Sequence, residues 1–265
     1  MSPAHVGQFP VAALLYRKEL IRETNALVQI QLNANDLTQL KGTPLPQGAS
    51  FDELRLKDVP KGQVIRPGDV VDPLVHFVGR TDVAFVKQNG TNKMVRLDDR
   101  IDRKAKHVSS EHGQLVLDYG KGVLYLNAPH VQGFSGALQD AGEFAANDFS
   151  LLSPMELGHV VIVSLDDEPL SVSKRMLIQV MSEEKATGFE TKQSGNGQEI
   201  VNIGRDPWLV KELAGRVRLR RGNANHWQVT SLDEAGYPVR MQKLSEDNQI
   251  ELEPTSIYYL LEAGK

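Results

Sequence analysis

The 265-residue chain contains no cysteine. Disulfides, thiolate metal centres and a cysteine nucleophile are therefore excluded. No apolar run approaches the roughly 18 residues needed to cross a bilayer, so no membrane association is expected. Positive charge is not in excess: 30 Lys and Arg against 34 Asp and Glu give a net charge of −4. A nucleic-acid partner, which calls for a basic surface to neutralise phosphates, is not expected. Aromatic residues are few, at 6% with two tryptophans, which limits the surface open to stacking on sugar rings. The seven histidines show neither H-x-H nor H-E-x-x-H spacing. His107 and His112 flank one turn, but no metal site and no cofactor are expected. The opening Met1-Ser2-Pro3-Ala4-His5 lacks the basic-then-apolar build of a signal peptide. The reading is cytoplasmic if this is a whole gene product, and secreted or periplasmic if it is a piece of an exported enzyme.

What is present points to a globular, all-β chain. Hydrophobic residues make up 40% and charged residues 24%, a balance that supports a packed core. From His107 onward, short alternating runs recur with turn signals between them, such as Asp166-Asp167-Glu168-Pro169, Ser194-Gly195-Asn196-Gly197 and Asp233-Glu234-Ala235-Gly236. That rhythm predicts an antiparallel β-sandwich over residues 106–265. Leu115, Leu117, Val123 and Tyr125 flank the turn Asp118 to Gly122 and are expected to share a packed face. Arg216 to Arg221 reads RVRLRR, with Val217 and Leu219 on one face. A solvated strand face is the main reading of that run, and a polyanion-binding face the alternative.

Residues 1–105 are expected to form an N-terminal, partly irregular wrapping region, with the boundary near Asp102 to His107. Five prolines between Gly42 and Pro73 speak against regular strands there. Val11 to Arg22 suits a helix in its apolar spacing, but Tyr16-Arg17-Lys18 alternates, and the strand reading is preferred. Asn35 to Leu40 is read as a helical turn capped by Asn33 or Asn35. Phe77 to Val86 and Lys93 to Leu97 read as a hairpin around Gln88-Asn89-Gly90.

Several segments carry a family resemblance: DYGKG and NAPHVQGFSG between Gln114 and Gly136, VSLDDEPLSVSKRMLIQV at Val163 to Val180, TGFET, LDEAGYPV and the closing IYYLLE. The earlier ALLYRKELI, KGTPL and DPLVHFVGR fit the same pattern. The chain resembles the distal accessory region of agarase-like and cellulase-like bacterial glycoside hydrolases, without their TIM-barrel catalytic domain. The resemblance implies an accessory β-sandwich that binds polysaccharide or oligosaccharide weakly, or stabilises a TIM-barrel catalytic domain or subunit. It assigns no catalytic residue.

The residues add their own candidates. Gly133-Phe134-Ser135-Gly136-Ala137 approximates G-x-S-x-G, with Ala in the last position, and makes Ser135 a weak catalytic candidate. The competing reading is a glycine-bounded turn with no histidine facing the Ser135 hydroxyl. A stand-alone hydrolase of a glycoside or ester is thus the alternative function. Glycosidases need two carboxylates roughly 5 to 9.5 Å apart, and the sequence singles out no such pair. Aromatic faces pack against the apolar face of a sugar ring. Trp208, Tyr237 and Trp227 are the carbohydrate-binding candidates, with Trp208 expected in an exposed loop and Trp227 read more readily as core.

Overall fold

A computed structural model of the chain describes residues 3–39, 74–87, 93–94, 99–139, 142–222 and 226–264. It is an all-β, mostly antiparallel, sandwich-like fold. By contact the chain divides into two compact units, one of residues 22–120 and a larger one of residues 1–21 and 121–265. The Gly42 to Pro73 stretch and the Gln88-Asn89-Gly90 turn lie outside the described residues.

The chain begins with helix α1 (Pro3–Arg17), not the strand expected there. Gly7 and Val11 are buried at i, i+4 spacing, the separation that places two side chains on one helical face. That face docks on the larger unit. The Val11 amide donates to the Gln179 side-chain carbonyl (3.1 Å), Gln179 Nε2 donates to the Gln8 carbonyl (3.3 Å), and the Tyr258 hydroxyl donates to the Gly7 carbonyl (3.0 Å). Docking against a distant sheet decides between two local patterns that the sequence alone leaves balanced.

The smaller unit holds β1 (Ala26–Asn33), α2 (Ala34–Thr38), α3 (Val75–Val78), β2 (Arg80–Val86), β3 (Lys93–Met94), β4 (Ile101–Asp102), β5 (His107–Ser109) and β6 (Leu115–Asp118). Asn33 Oδ1 accepts the Asn35 amide at 2.9 Å at the start of α2, as an N-cap does. The expected β2–β3 hairpin does not form, because β1 lies between them. β1 runs parallel to β2 and antiparallel to β3. Phe77, read as the start of a strand, belongs to α3. β4, β5 and β6 form an antiparallel meander. Val108 is fully buried, while Leu115 and Leu117 are half-buried and stand outside the main core. The packed positions are instead Val123 and the residues that follow it.

The larger unit continues with β7 (Val123–Ala128), β8 (Val131–Gly136), β9 (Glu143–Ala145), β10 (Phe149–Leu152), β11 (Gly158–Ser164), β12 (Arg175–Ser182), β13 (Glu184–Ser194), β14 (Gly197–Val210), β15 (Arg216–Leu219), β16 (Trp227–Leu232), β17 (Pro238–Lys243), β18 (Gln249–Glu251) and β19 (Tyr258–Ala263). One sheet runs β17-β16-β19-β12-β11-β8-β7, and a second runs β18-β15-β10-β9. Their facing side chains make one core. Phe134, Val160, Ile162, Ile178, Tyr259 and Leu261 come from the first sheet, and Phe144, Phe149, Leu151, Val217 and Ile250 from the second. Phe134 sits at its aromatic centre, with ring centroids 5.7 Å from Tyr125 and 5.2 Å from both Phe144 and Phe149. β15 alternates exposed and buried as its sequence suggests, whereas β12 is buried almost throughout. The difference has a cause: the core covers one face of β12, and α1 covers Gln179 on the other.

Gly136 ends β8 with φ +130, and an added Cβ would lie 2.0 Å from the Gly122 carbonyl oxygen. Only glycine tolerates both that backbone angle and that approach. β13 and β14 pair as a separate two-stranded ribbon.

Candidate functional site

Ser135 and His159 are direct cross-strand neighbours in the β8–β11 pair, and the Ser135 hydroxyl is hydrogen-bonded to His159 Nδ1. This corrects the expectation of a turn with no facing histidine. The glycines do not break the strand: β8 runs through both Gly133 and Ser135 to Gly136, between β7 and β11. Phe134 and Val160 point into the core, so by alternation Ser135 and His159 stand on the opposite face. Both are half-buried. Burial lowers the His159 pKa below its ordinary value, favouring the neutral ring.

A serine and a histidine in contact are two parts of a nucleophilic site. The remaining parts are a group orienting the base and backbone N–H donors aimed at an oxyanion. β8 has a partner on each side, so its backbone donors are turned into the sheet rather than toward a ligand. Among the described residues, no carboxylate forms an ion pair with His159. The strand–turn–helix elbow of G-x-S-x-G is absent here as well, since the next described element is strand β9.

Trp208 lies on β14, not in a loop, opposite Ala186. The register slips between Ala186 and Thr187, leaving Asp206 and Pro207 as a bulge. A two-stranded ribbon has free edges, which is where proline is tolerated. The indole is 44% exposed, and it forms part of the wall of a cavity of about 400 Å³. The cavity is completed by apolar residues, among them Met181 and Ile257, with Tyr258, Glu234 and Thr255 also in its lining. An apolar wall with a few polar groups is the usual build of a small-ligand pocket.

Tyr237 is 69% exposed and follows the Asp233–Gly236 turn, where its amide donates to Asp233 Oδ1 at 2.8 Å. Glu234 in that same turn reaches the Trp208 cavity. Trp227 is different: it is 7% exposed and belongs to the core, with the Arg221 guanidinium 4.8 Å from its ring centroid. It has no free face to offer a sugar.

Asp166 shows how the expected turn is held. It accepts hydrogen bonds from the Ser164 hydroxyl (2.9 Å), the Ser173 hydroxyl (2.7 Å) and the Lys174 amide (2.7 Å). Burial pushes its carboxyl up, but hydrogen bonds from Ser173, the Lys174 amide, Ser164 and the Glu168 amide outweigh it and bring the pKa down to about 2. His107 and His112 do not converge. His107 Nε2 lies 3.1 Å from Asp118 Oδ2, and His112 Nε2 lies 3.2 Å from the Glu23 carbonyl. Among the described residues no group of three metal-ligating side chains occurs, and no helix is long and apolar enough to cross a membrane.

No protein-family model, curated protein or solved structure matches the chain.

Proposed function

We propose that this chain is a β-sandwich accessory module of a polysaccharide-degrading system, holding glycan weakly through the Trp208 cavity beside a catalytic partner. The observation that carries the reading is the half-exposed indole on the wall of a largely apolar cavity of about 400 Å³ with Glu234 and Thr255 in its lining. The sequence resemblance supplies the polysaccharide system, and the cavity supplies the surface. Affinity electrophoresis in gels containing neutral polysaccharides tests it. Trp208→Ala should abolish retention, while the melting temperature stays nearly unchanged because the ring is half-exposed. Loss of stability with retention intact would make Trp208 a packing residue and remove the proposal.

The Ser135–His159 pair favours a second reading, a hydrolase acting on a glycoside or ester. A substrate panel of polysaccharides, nitrophenyl glycosides and nitrophenyl esters separates the two. Turnover lost in a folded Ser135→Ala protein, or labelling of Ser135 by a fluorophosphonate, would establish the hydrolase.

A further inference from the structure

The outer face of the second sheet carries a different surface. In β15, Val217 and Leu219 point into the core, so Arg216 and Arg218 point out. Arg220 and Arg221 follow where the strand ends. Arg216 is neutralised within the ladder, its Nε lying 2.5 Å from Glu251 Oε1. Among the described residues, Arg218, Arg220 and Arg221 form no ion pair within 4 Å, although Asp148 and Asp166 act on the Arg221 charge from farther off. All three line one cavity of about 560 Å³, together with Ser150, Asn248 and a single carboxylate, Glu143.

Two of these guanidinium groups are held in place by neutral partners. Arg220 Nη1 donates to the Ala146 carbonyl at 2.8 Å. Arg221 donates to the Ser173 carbonyl at 2.8 Å and to the Leu170 carbonyl, and its central carbon lies 4.8 Å from the Trp227 ring centroid. Carbonyl acceptors fix a guanidinium without cancelling its charge. Each has five N–H donors, so donors remain for a ligand. Arg218 stands between Ser150 and Gln249 in the ladder, and among the described residues its side chain makes no hydrogen bond or ion pair. Three arginines and one glutamate line the cavity; Asp148 and Asp166 offset Arg221 from behind, so Arg218 and Arg220 carry the uncompensated charge of a local site on a chain whose net charge is −4. Arginine forks match the oxygens of carboxylate and sulfate groups in a bidentate manner.

We propose that this cavity binds the anionic group, carboxylate or sulfate, of an acidic polysaccharide. The anion site stands on the arginines themselves; the polysaccharide as its bearer rests on the function proposed above. The net negative charge disfavours a long nucleic-acid strand, which needs an extended basic track.

The test uses the full chain with four named polymers: polygalacturonate for carboxylates, dextran sulfate for sulfates, dextran as the neutral control, and oligo(dT). Binding is measured by titration calorimetry at two salt concentrations. The wild type should bind polygalacturonate or dextran sulfate and not dextran through this site. Arg218→Gln should weaken that binding at least tenfold with an unchanged melting temperature, since the side chain carries no structural bond. Arg216→Gln removes the same charge from the same face but outside the cavity, and should change affinity less than twofold. Equal losses from both substitutions would mean general surface attraction and overturn the site. Failure of the wild type to bind either acidic polymer would also overturn it, and preference for oligo(dT) would replace it with a nucleic-acid site. Trp208→Ala should leave the acidic-polymer affinity intact. Retention of neutral glycan through Trp208 with no effect of Arg218→Gln would keep the proposed function and refute this inference alone.

Discussion

Ser135 and His159 occupy opposed positions on β8 and β11 and are joined side chain to side chain on the face of the sheet away from the core. The bond explains how a serine and an imidazole share a half-buried sheet surface: each satisfies the other. It does not by itself make a nucleophile, because the backbone donors of β8 are turned toward its neighbouring strands.

Ser135→Ala should therefore act on stability rather than turnover. Removing one hydrogen bond costs about 1 kcal/mol, readable as a lower denaturant midpoint with unchanged slope. Any hydrolysis seen in the wild type should persist. A fluorophosphonate adduct on Ser135 would sink this.

His159 should leave a mark on the pH dependence of stability. Its pKa is lowered in the folded state by burial, so below the ordinary histidine value of about 6.5 the unfolded chain holds more protons than the folded one. Stability then falls as pH drops from about 6.5 and levels off below the folded pKa. His159→Gln should flatten that segment in urea titrations taken between neutral and mildly acidic pH. An unchanged slope would show that another group sets it.

Asp166 governs the more acidic range. Its folded pKa of about 2 lies below the ordinary aspartate value of about 3.9. Its contribution is complete above the unfolded value and is lost as pH falls through the folded one. Asp166→Asn should lower stability at neutral pH and reduce the loss seen on acidification from about pH 4 to pH 2. Parallel pH curves for variant and wild type would refute the assignment.

Phe134→Ala should be the most damaging single change in the aromatic centre. The side chain is 1% exposed and touches rings from both sheets. Burial on that scale predicts a loss of about 3–5 kcal/mol. If the protein is too weak to fold, Phe134→Leu, with a loss of about 1–2 kcal/mol expected for a smaller cavity, keeps the test available. A cost below about 0.5 kcal/mol for Phe134→Leu would place the core elsewhere.

Much of the sandwich could be read from the chain. Val217 and Leu219 alternate with arginines in sequence and in burial, because a strand with one wet face writes its period into the residues. Turns closed by Gly195 and Gly236 were equally legible, since both need positive φ. The failures share a cause. Tyr16-Arg17-Lys18 looked like strand, but the helix was settled by Gly7 and Val11 meeting Tyr258 and Gln179, a match no local window contains. The β2–β3 hairpin looked natural until β1, some fifty residues upstream of β2 in sequence, took the place between them. Gly133 and Gly136 looked like turn residues, yet they allow close strand approach inside a sheet. Trp208 was found as an exposed aromatic, but the cavity beside it depends on residues from α1 and the β16–β17 turn. The His159 partner of Ser135 came from strand register, which the sequence left open.

The docking of α1 has a consequence for the order in which the molecule can be built. The Gly7 carbonyl and Tyr258 hydroxyl that meet are separated by 251 positions along the chain. During synthesis, the helix is made well before the β19 strand that receives it. Until β19 is made, the Gly7–Val11 face has lost one of its two landing strands, and the first sheet lacks the strand that joins β12 to β16. Contacts of such long reach make folding slow. The larger unit thus completes only as a late, closing event, and its nascent form exposes an apolar helix face and an open strand edge, the two features that chaperones and premature aggregation both seek.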